Sequence, residues 1–526
     1  MSDISELQEP LLRRTRCFYT TLFTLVLPIW SVIPLSWAFV LYSLYTGRVW
    51  LYKTLGVSFF LVALCEVFFS VYHYHLALQV SNVTGPVSWP ELNEIQVALN
   101  RLLNAGLSPL PGSEVTEGHD EVSHLAYDDP RAVDFRNSLR NWFRKVPWSS
   151  VKLEEVRKWL YWCIYNSKYQ TYEHLPDAHR EAIDSTVDQL EKRMGCTIPP
   201  GRNHDIRPLC QTLDPVPIYN RPLVFYALIK TINLTLQKYY ETKWNARLGS
   251  YEDLEYILRI PNGWDYMTSP RPLVFIHGLG MGLLQYHLLL SHMFETISDR
   301  PILVLIQPQI SQDVFHPRFL QPMDRQQMSN KLAELLRVLG WAHVEYSDED
   351  FVNDEEGEVA NQLVGKGVTV ISHSNGSYTH AWMLKEHPQL VTRSCFVDPV
   401  TFCSWEGDVC YNFLYRAPRT GMELLMKYFV CTELGSANLL HRHFDWVANA
   451  LWCEDIPNVR DPSKTIFFLG GKDEILDCQR VRRYLSSHGV HKNVWCDPKA
   501  RHGEVLMTGS LGHTEILRWL HEPEDL

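Results

Sequence analysis

Residues 368–384 read VTVISHSNGSYTHAWML, an apolar run, a polar knot and a second periodic run. Val368, Val370 and Ile371 are β-branched and suit a buried strand. Tyr378, Ala381, Trp382 and Leu384 recur at helical spacing. Strand, sharp turn, helix is the setting of a nucleophile elbow, in which a serine at the apex lifts its hydroxyl above a parallel sheet. The usual pattern is G-x-S-x-G; here it is S-H-S-N-G, with Ser372 in the first glycine position. That position must be small because strand and helix pass close together, and serine is small. Ser374 is therefore a candidate nucleophile. The plainer alternative is a buried strand followed by a serine N-cap.

Around this stretch the chain alternates strand and helix. Strands are expected at Leu254–Ile260, Leu273–Ile276, Ile302–Ile306, Cys395–Val397, Thr465–Leu469 and Val494–Cys496, with helices at about 282–297 and 328–339 and at the C-terminus. The alternation implies an α/β fold with a mostly parallel sheet covered on both faces. Three chemically apt residues follow strands in order: Ser374, then Asp473 in GGKDEIL, then His502 in ARHGEVL. A serine hydroxyl is a weak nucleophile until an imidazole takes its proton, and a carboxylate orients that imidazole. His502 is the expected base and Asp473 the expected acid. Asp398, in VDPV after an earlier strand, is the alternative acid, with Glu474 behind it.

These motifs, with HGLG at 277–280, resemble the α/β-hydrolase fold superfamily over about residues 254–520. The stretches WLYWCIY, LEYILRIPNGW and FDWVANALWCEDIP also resemble a group of membrane-anchored hydrolases of fungi, algae and protists. The resemblance implies an oxyanion hole from the backbone amides of Leu279 and Asn375, supported by the His277, Gly278 and Gly280 turn. His373 is expected to pack or line the pocket, and His277 to be a turn residue. The spacing of His343 and Asp348 matches an acyltransferase motif only by chance.

The chain has 526 residues, too many for one compact domain of usual size. A net charge of −11 argues against nucleic acid as a partner. Its 12 scattered cysteines form no short-range Cys/His cluster, so neither a metal nor a cofactor is expected. Residues 1–16 form a polar tail. From Cys17 to Tyr45 there is no charge, and a second apolar run, 55–78, is broken only by Glu66. Each is long enough to cross a bilayer, so residues 17–80 read as a transmembrane hairpin. Glu66 is expected to pair with Ser31 or Ser36 across it. Arg13, Arg14 and Arg16 before the first span favour a cytosolic catalytic domain. An endoplasmic reticulum or lipid droplet surface fits this arrangement.

Residues 81–250 read as a helical accessory region carrying sequons at Asn82 and Asn233. Residues 251–526 read as the hydrolase domain, with a cap insert at about 401–462. Eight acidic residues at 345–358 mark a solvated loop. The aromatic cap and the anchor suggest an apolar acyl ester as substrate. The reading that follows is a membrane-anchored serine hydrolase. The alternative is a non-catalytic or regulatory member of the fold that binds lipid or protein partners.

Overall fold

The computed structural model describes residues 3–8, 13–47, 53–82, 89–105, 124–345, 362–364 and 366–523. They fall into two compact units. One comprises Asn233–Gln307, Met323–Ser404 and Ala448–Leu526; the other comprises Met1–Ile232, Pro308–Pro322 and Trp405–Val447.

The first unit is built on one eight-stranded sheet. Its strands are β1 (Arg247–Tyr251), β2 (Leu254–Arg259), β3 (Leu273–Ile276), β4 (Ile302–Ile306), β5 (Val368–His373), β6 (Val391–Val397), β7 (Thr465–Gly470) and β8 (Val494–Asp497). The spatial order is β1-β2-β4-β3-β5-β6-β7-β8. Strand β2 runs antiparallel to both its neighbours, and every pair from β4 to β8 is parallel. This order and direction are those of the α/β-hydrolase fold. The central strands β3 and β5 are buried along their whole length; β3 is apolar throughout, and in β5 the run Val368–Ile371 leads into the buried Ser372 and His373. Strand β1 was not expected from the sequence: it reads RLGSY and is a largely exposed edge strand.

Helices cover both faces. On one, Phe275, Ile371, Val397 and Phe468 pack with Leu290, Met293, Trp519 and Leu520 in a single apolar cluster. Elsewhere in the sheet Phe396 stacks on Phe467 at 5.3 Å and on His380 at 4.2 Å. Register places the site: Ile276 pairs with Ser372, and His373 with Val397, so the loops after β3, β5 and β6 leave the sheet side by side.

The second unit is helical. Arg16–Thr46 and Thr54–Asn82 are long and apolar enough to cross a membrane. Val40 packs with Ala63 and Val67, and Trp37 Nε1 donates to Ser70 Oγ at 3.0 Å. The first helix contains a π-helical turn, Leu22–Val26, just before Pro28. Glu66 does not pair with Ser31 or Ser36. It is 3% exposed, and its two oxygens accept the amides of Leu223 and Val224 at 2.7 Å, capping the helix that begins there. The reason is physical: two orphan helix-end donors offer a carboxylate more than a hydroxyl can. Phe59 and Phe68, both 66% exposed, face away from this polar seam.

Trp142, Trp159 and Trp162 form the aromatic centre of this unit, with Trp142 within 6.0 Å of Trp159 and 5.5 Å of Trp162. The insert segment Trp405–Val447 has no separate core. Trp142 Nε1 donates to the Trp405 carbonyl at 2.9 Å, Trp446 Nε1 to the Cys163 carbonyl at 2.9 Å, and Gln211 binds both Leu440 and Cys410. Most of the acidic loop at 345–358, Asp348 included, lies outside the described residues.

Candidate active site

The elbow is a strained turn. Ser374 has φ +52°, a left-handed conformation that non-glycine residues rarely hold and that costs on the order of 1–3 kcal/mol. Strand β5 delivers it and the helix Gly376–Glu386 leaves it. The Ser374 amide donates to Val397 O at 3.1 Å, and its carbonyl accepts from the Ser377 amide and hydroxyl at 2.9 and 2.7 Å. Gly376 is obligatory, since a Cβ there would meet the Ile276 carbonyl oxygen at 2.4 Å. Ser372 fits the first elbow position because its hydroxyl has a partner, His380 Nδ1 at 2.9 Å; His380 Nε2 in turn meets Ser394 Oγ at 3.1 Å. Burial holds His380 neutral, with its pKa down at about 3.

Ser374, His502 and Asp473 form one hydrogen-bonded line. His502 Nε2 is 2.7 Å from Ser374 Oγ, and its Nδ1 is 2.6 Å from Asp473 Oδ2. The other Asp473 oxygen accepts the amides of Ile475 and Leu476 at 2.7 and 3.1 Å, which fixes the carboxylate. Ser374 is 8% exposed, so the hydroxyl sits in a nearly dry setting. Glycines let the acid and histidine loops touch: a Cβ at Gly470 would meet the Ala500 and Arg501 carbonyls at 2.9 Å, and one at Gly471 would meet Pro498 Cα at 2.7 Å.

Asp398, the rival acid, is elsewhere engaged. It turns at φ +42°, fully buried. Its Oδ1 accepts the Gly470 amide and its Oδ2 the Gly503 amide, both at 2.7 Å. Ligand atoms of Asp398, Asp473 and His502 all lie within 4.8 Å of one another. Burial raises the Asp398 pKa, against the pull of the His502 charge and the two amides. Both its oxygens face N–H donors, so the geometry accommodates the ionised form. For His502, burial opposes the positive charge, but Asp473 first and then Asp398 and Glu474 outweigh it and hold the pKa above its ordinary value. Glu474 itself is 3.5 Å from Arg501 Nε and makes no hydrogen bond to the His502 ring.

The turn after β3 is braced from three sides. His277 Nδ1 donates to Gly278 O at 2.9 Å, and its Nε2 accepts the Gln307 amide at 3.3 Å. Gly278 approaches Ser374 so closely that a Cβ would stand 2.9 Å from Ser374 Cβ. Its amide donates to Tyr286 Oη at 2.9 Å, and that hydroxyl reaches His373 Nδ1 at 2.7 Å. At Gly280 a Cβ would collide with the Gln285 amide oxygen at 1.6 Å. Asn233 spends its side chain on Met281 O and the Leu284 amide, at 3.1 and 3.0 Å. Among the described residues, the amides of Leu279 and Asn375 donate to no protein acceptor. Neither brace is legible in the sequence: Tyr286 belongs to no motif, and Asn233 stands out only as a sequon.

No protein-family model and no curated protein matches the chain. Among solved structures, a membrane phospholipase A described as a bacterial virulence factor is 12% identical, over 56% of this chain and 91% of its own, with a TM-score of 0.32. Naproxen esterase from Bacillus subtilis is 11% identical over 56% and 97%, TM-score 0.32. A peroxisomal α/β-hydrolase from Saccharomyces cerevisiae is 14% identical over 53% and 86%, TM-score 0.32. At such scores the fold rests on strand order and direction: residues 247–497 carry the sheet of an α/β-hydrolase, with Ser374, Asp473 and His502 at the carboxyl ends of its strands.

Proposed function

We propose that the chain is a membrane-anchored serine hydrolase that cleaves a carboxylic ester of a lipid or another apolar acyl compound. The reading rests on the unbroken hydrogen-bonded line from Ser374 through His502 to Asp473. In this mechanism His502 takes the Ser374 proton as Oγ attacks the carbonyl carbon. Asp473 holds the ring in the tautomer that leaves Nε2 free to accept, and stabilises the imidazolium. The Leu279 and Asn375 amides, unclaimed among the described residues, receive the oxyanion. His502 returns the proton to the departing alcohol, leaving Ser374 acylated. Water, deprotonated by His502, then releases the acid and restores the serine.

The anchor supports a lipid-like substrate, because an enzyme tethered to a bilayer meets esters dissolved in it. In the hairpin the ionisable Glu66 faces protein while Phe59 and Phe68 are exposed, the arrangement expected of a span in hydrocarbon. Arg13 and Arg14 ahead of the first helix, with Arg16 at its start, support a cytosolic catalytic unit, on an endoplasmic reticulum or lipid droplet membrane.

A fluorophosphonate probe tests the chemistry. The wild-type chain is expected to label and Ser374→Ala not to. An unlabelled native wild-type protein removes the hydrolase reading in favour of a binding role. Labelling of Ser374→Ala removes Ser374 as nucleophile.

A further inference from the structure

The helical unit contains a cavity of about 620 Å³ that has no part in the hydrolytic relay. Arg144, Lys158, Arg202, Arg207 and Lys427 line it. The chain as a whole carries a net charge of −11, so five cations around one cavity run against its overall balance. Among the described residues none of Arg144, Lys158, Arg202 and Arg207 makes a salt bridge. The one carboxylate in the lining, Asp214, is already engaged by Tyr415 Oη at 2.7 Å and the Cys210 amide at 3.2 Å. A smaller cavity of about 240 Å³ shares Lys158, Arg202 and Arg207 with it; its own carboxylates, Glu154 and Glu155, accept the Tyr169 hydroxyl and the Asn203 amide.

A second observation points to a ligand. His441 also lines the cavity, is 1% exposed, and uses Nδ1 on the Gln211 carbonyl at 3.1 Å. Nδ1 facing a carbonyl must carry the proton, so Nε2 is a bare acceptor, and it has no hydrogen-bond partner. A buried acceptor of this kind is satisfied by a hydroxyl donor. Guanidinium forks and ammonium groups pair best with phosphate oxygens. Several phosphates and a free hydroxyl together describe a phosphorylated polyol, and the volume lies in the ordinary range for such ligands.

The position adds a source. Arg442 Nε donates to the Val80 carbonyl at 3.0 Å, in the last turn of the second hairpin helix, and Arg442 Nη1 to the Asp214 carbonyl at 3.2 Å, in the cavity lining. One side chain therefore joins the cavity to the end of a helix apolar enough to span a bilayer.

We propose that this cavity binds a polyphosphorylated polyol, either as a free metabolite or as a lipid head group. The proposal is independent of the hydrolase reading, because none of its residues belongs to the Ser374 relay.

The test uses the full-length chain in detergent and isothermal titration. Probes are inositol hexakisphosphate, a short-chain phosphatidylinositol bisphosphate and the matching free inositol phosphate. Saturable binding is expected for at least one of them, weakening as salt rises. Arg202→Gln with Arg207→Gln should weaken it by roughly tenfold or more. Both positions are exposed, and circular dichroism verifies the fold. Lys158→Gln, on the separate helix Leu153–Tyr165, gives a second reading with a smaller loss. Tighter binding of the lipid than of its free head group assigns a membrane source; equal binding assigns a soluble one. The proposal is overturned if no probe binds saturably, or if both variants bind as the wild type does.

Discussion

Buried arginines tie distant segments together in both units, Arg259 to the carbonyls of Phe294 and Ile297 and Arg393 to those of Ser463 and Trp519 in the sheet unit, but the units differ in what else their buried polar groups do. In the sheet unit, Asp398 and Asp473 sit at strand ends and accept the backbone amides of the loops there. In the helical unit, buried arginines serve as staples between distant segments. Arg193 donates to the carbonyls of Leu103, Ala105 and Arg131, and Arg136 to those of Met194 and Tyr127. Arg221 and Arg442 do the same for Thr432, Val80 and Thr212. A sheet carries its own ladder of main-chain bonds; irregular connections between helices do not, and side chains must supply them. Losing a strand-end carboxylate of the sheet unit should therefore cost mainly function, and losing an arginine staple of the helical unit mainly stability.

The largest effect tests that contrast in the sheet unit. Asp473→Asn should lower kcat by about 10⁴-fold, because the amide favours the wrong imidazole tautomer, while the melting temperature changes little. Ester hydrolysis and a thermal scan read both. A drop below tenfold would take the acid role from Asp473.

In the helical unit, Arg193→Leu strands three carbonyls at once and should destabilise by about 3 kcal/mol. Urea unfolding followed by tryptophan emission reports it, since Trp142, Trp159 and Trp162 lie in that unit. An unchanged midpoint would dissolve the distinction between the units.

The third expectation concerns pH. In the proposed mechanism His502 acts as a base only when neutral, and its pKa is held up by Asp473 and Asp398, so the acid limb of kcat/KM should lie above the ordinary histidine value of about 6.5. Removing the negative charge in Asp398→Asn disfavours the imidazolium. The limb should then move toward lower pH, by on the order of one unit. A shift toward higher pH would show that Asp398 does not act on His502 through its charge.

The smallest effect is at Glu66. Glu66→Gln keeps an acceptor for one of the Leu223 and Val224 amides and should cost about 1 kcal/mol or less, and Glu66→Leu somewhat more. Equal losses for the two variants would mean that packing rather than capping matters there.

Legibility from sequence follows the same division. The elbow, HGLG and GGKDEIL are local patterns, so the placement of Ser374, His277 and Asp473 at strand ends could be read directly, and most strand bounds lie within a few residues of expectation. Strand β1 escaped because RLGSY is polar, contains glycine and is ordered by its pairing with β2. Asp398 looked like a rival acid because its partners, the amides of Gly470 and Gly503, lie 72 and 105 residues further on. Glu66 was misread for the same reason: its partners are 157 and 158 residues away, beyond the reach of any periodicity. The sheet declares itself through repeating pattern, whereas the staples of the helical unit are single long-range contacts with no local signature.

The Asp398 carboxylate has a consequence for motion. One oxygen holds the end of the strand leading to Asp473, and the other holds the residue after His502. The two loops therefore hang from a common pivot. A fluctuation that tilts the pivot carries both partners in the same direction and leaves their separation nearly unchanged. Thermal agitation that would scatter two independently mounted groups is converted into a shared sway, and the hydrogen-bonded line from Ser374 through His502 to Asp473 stays aligned while the loops around it move.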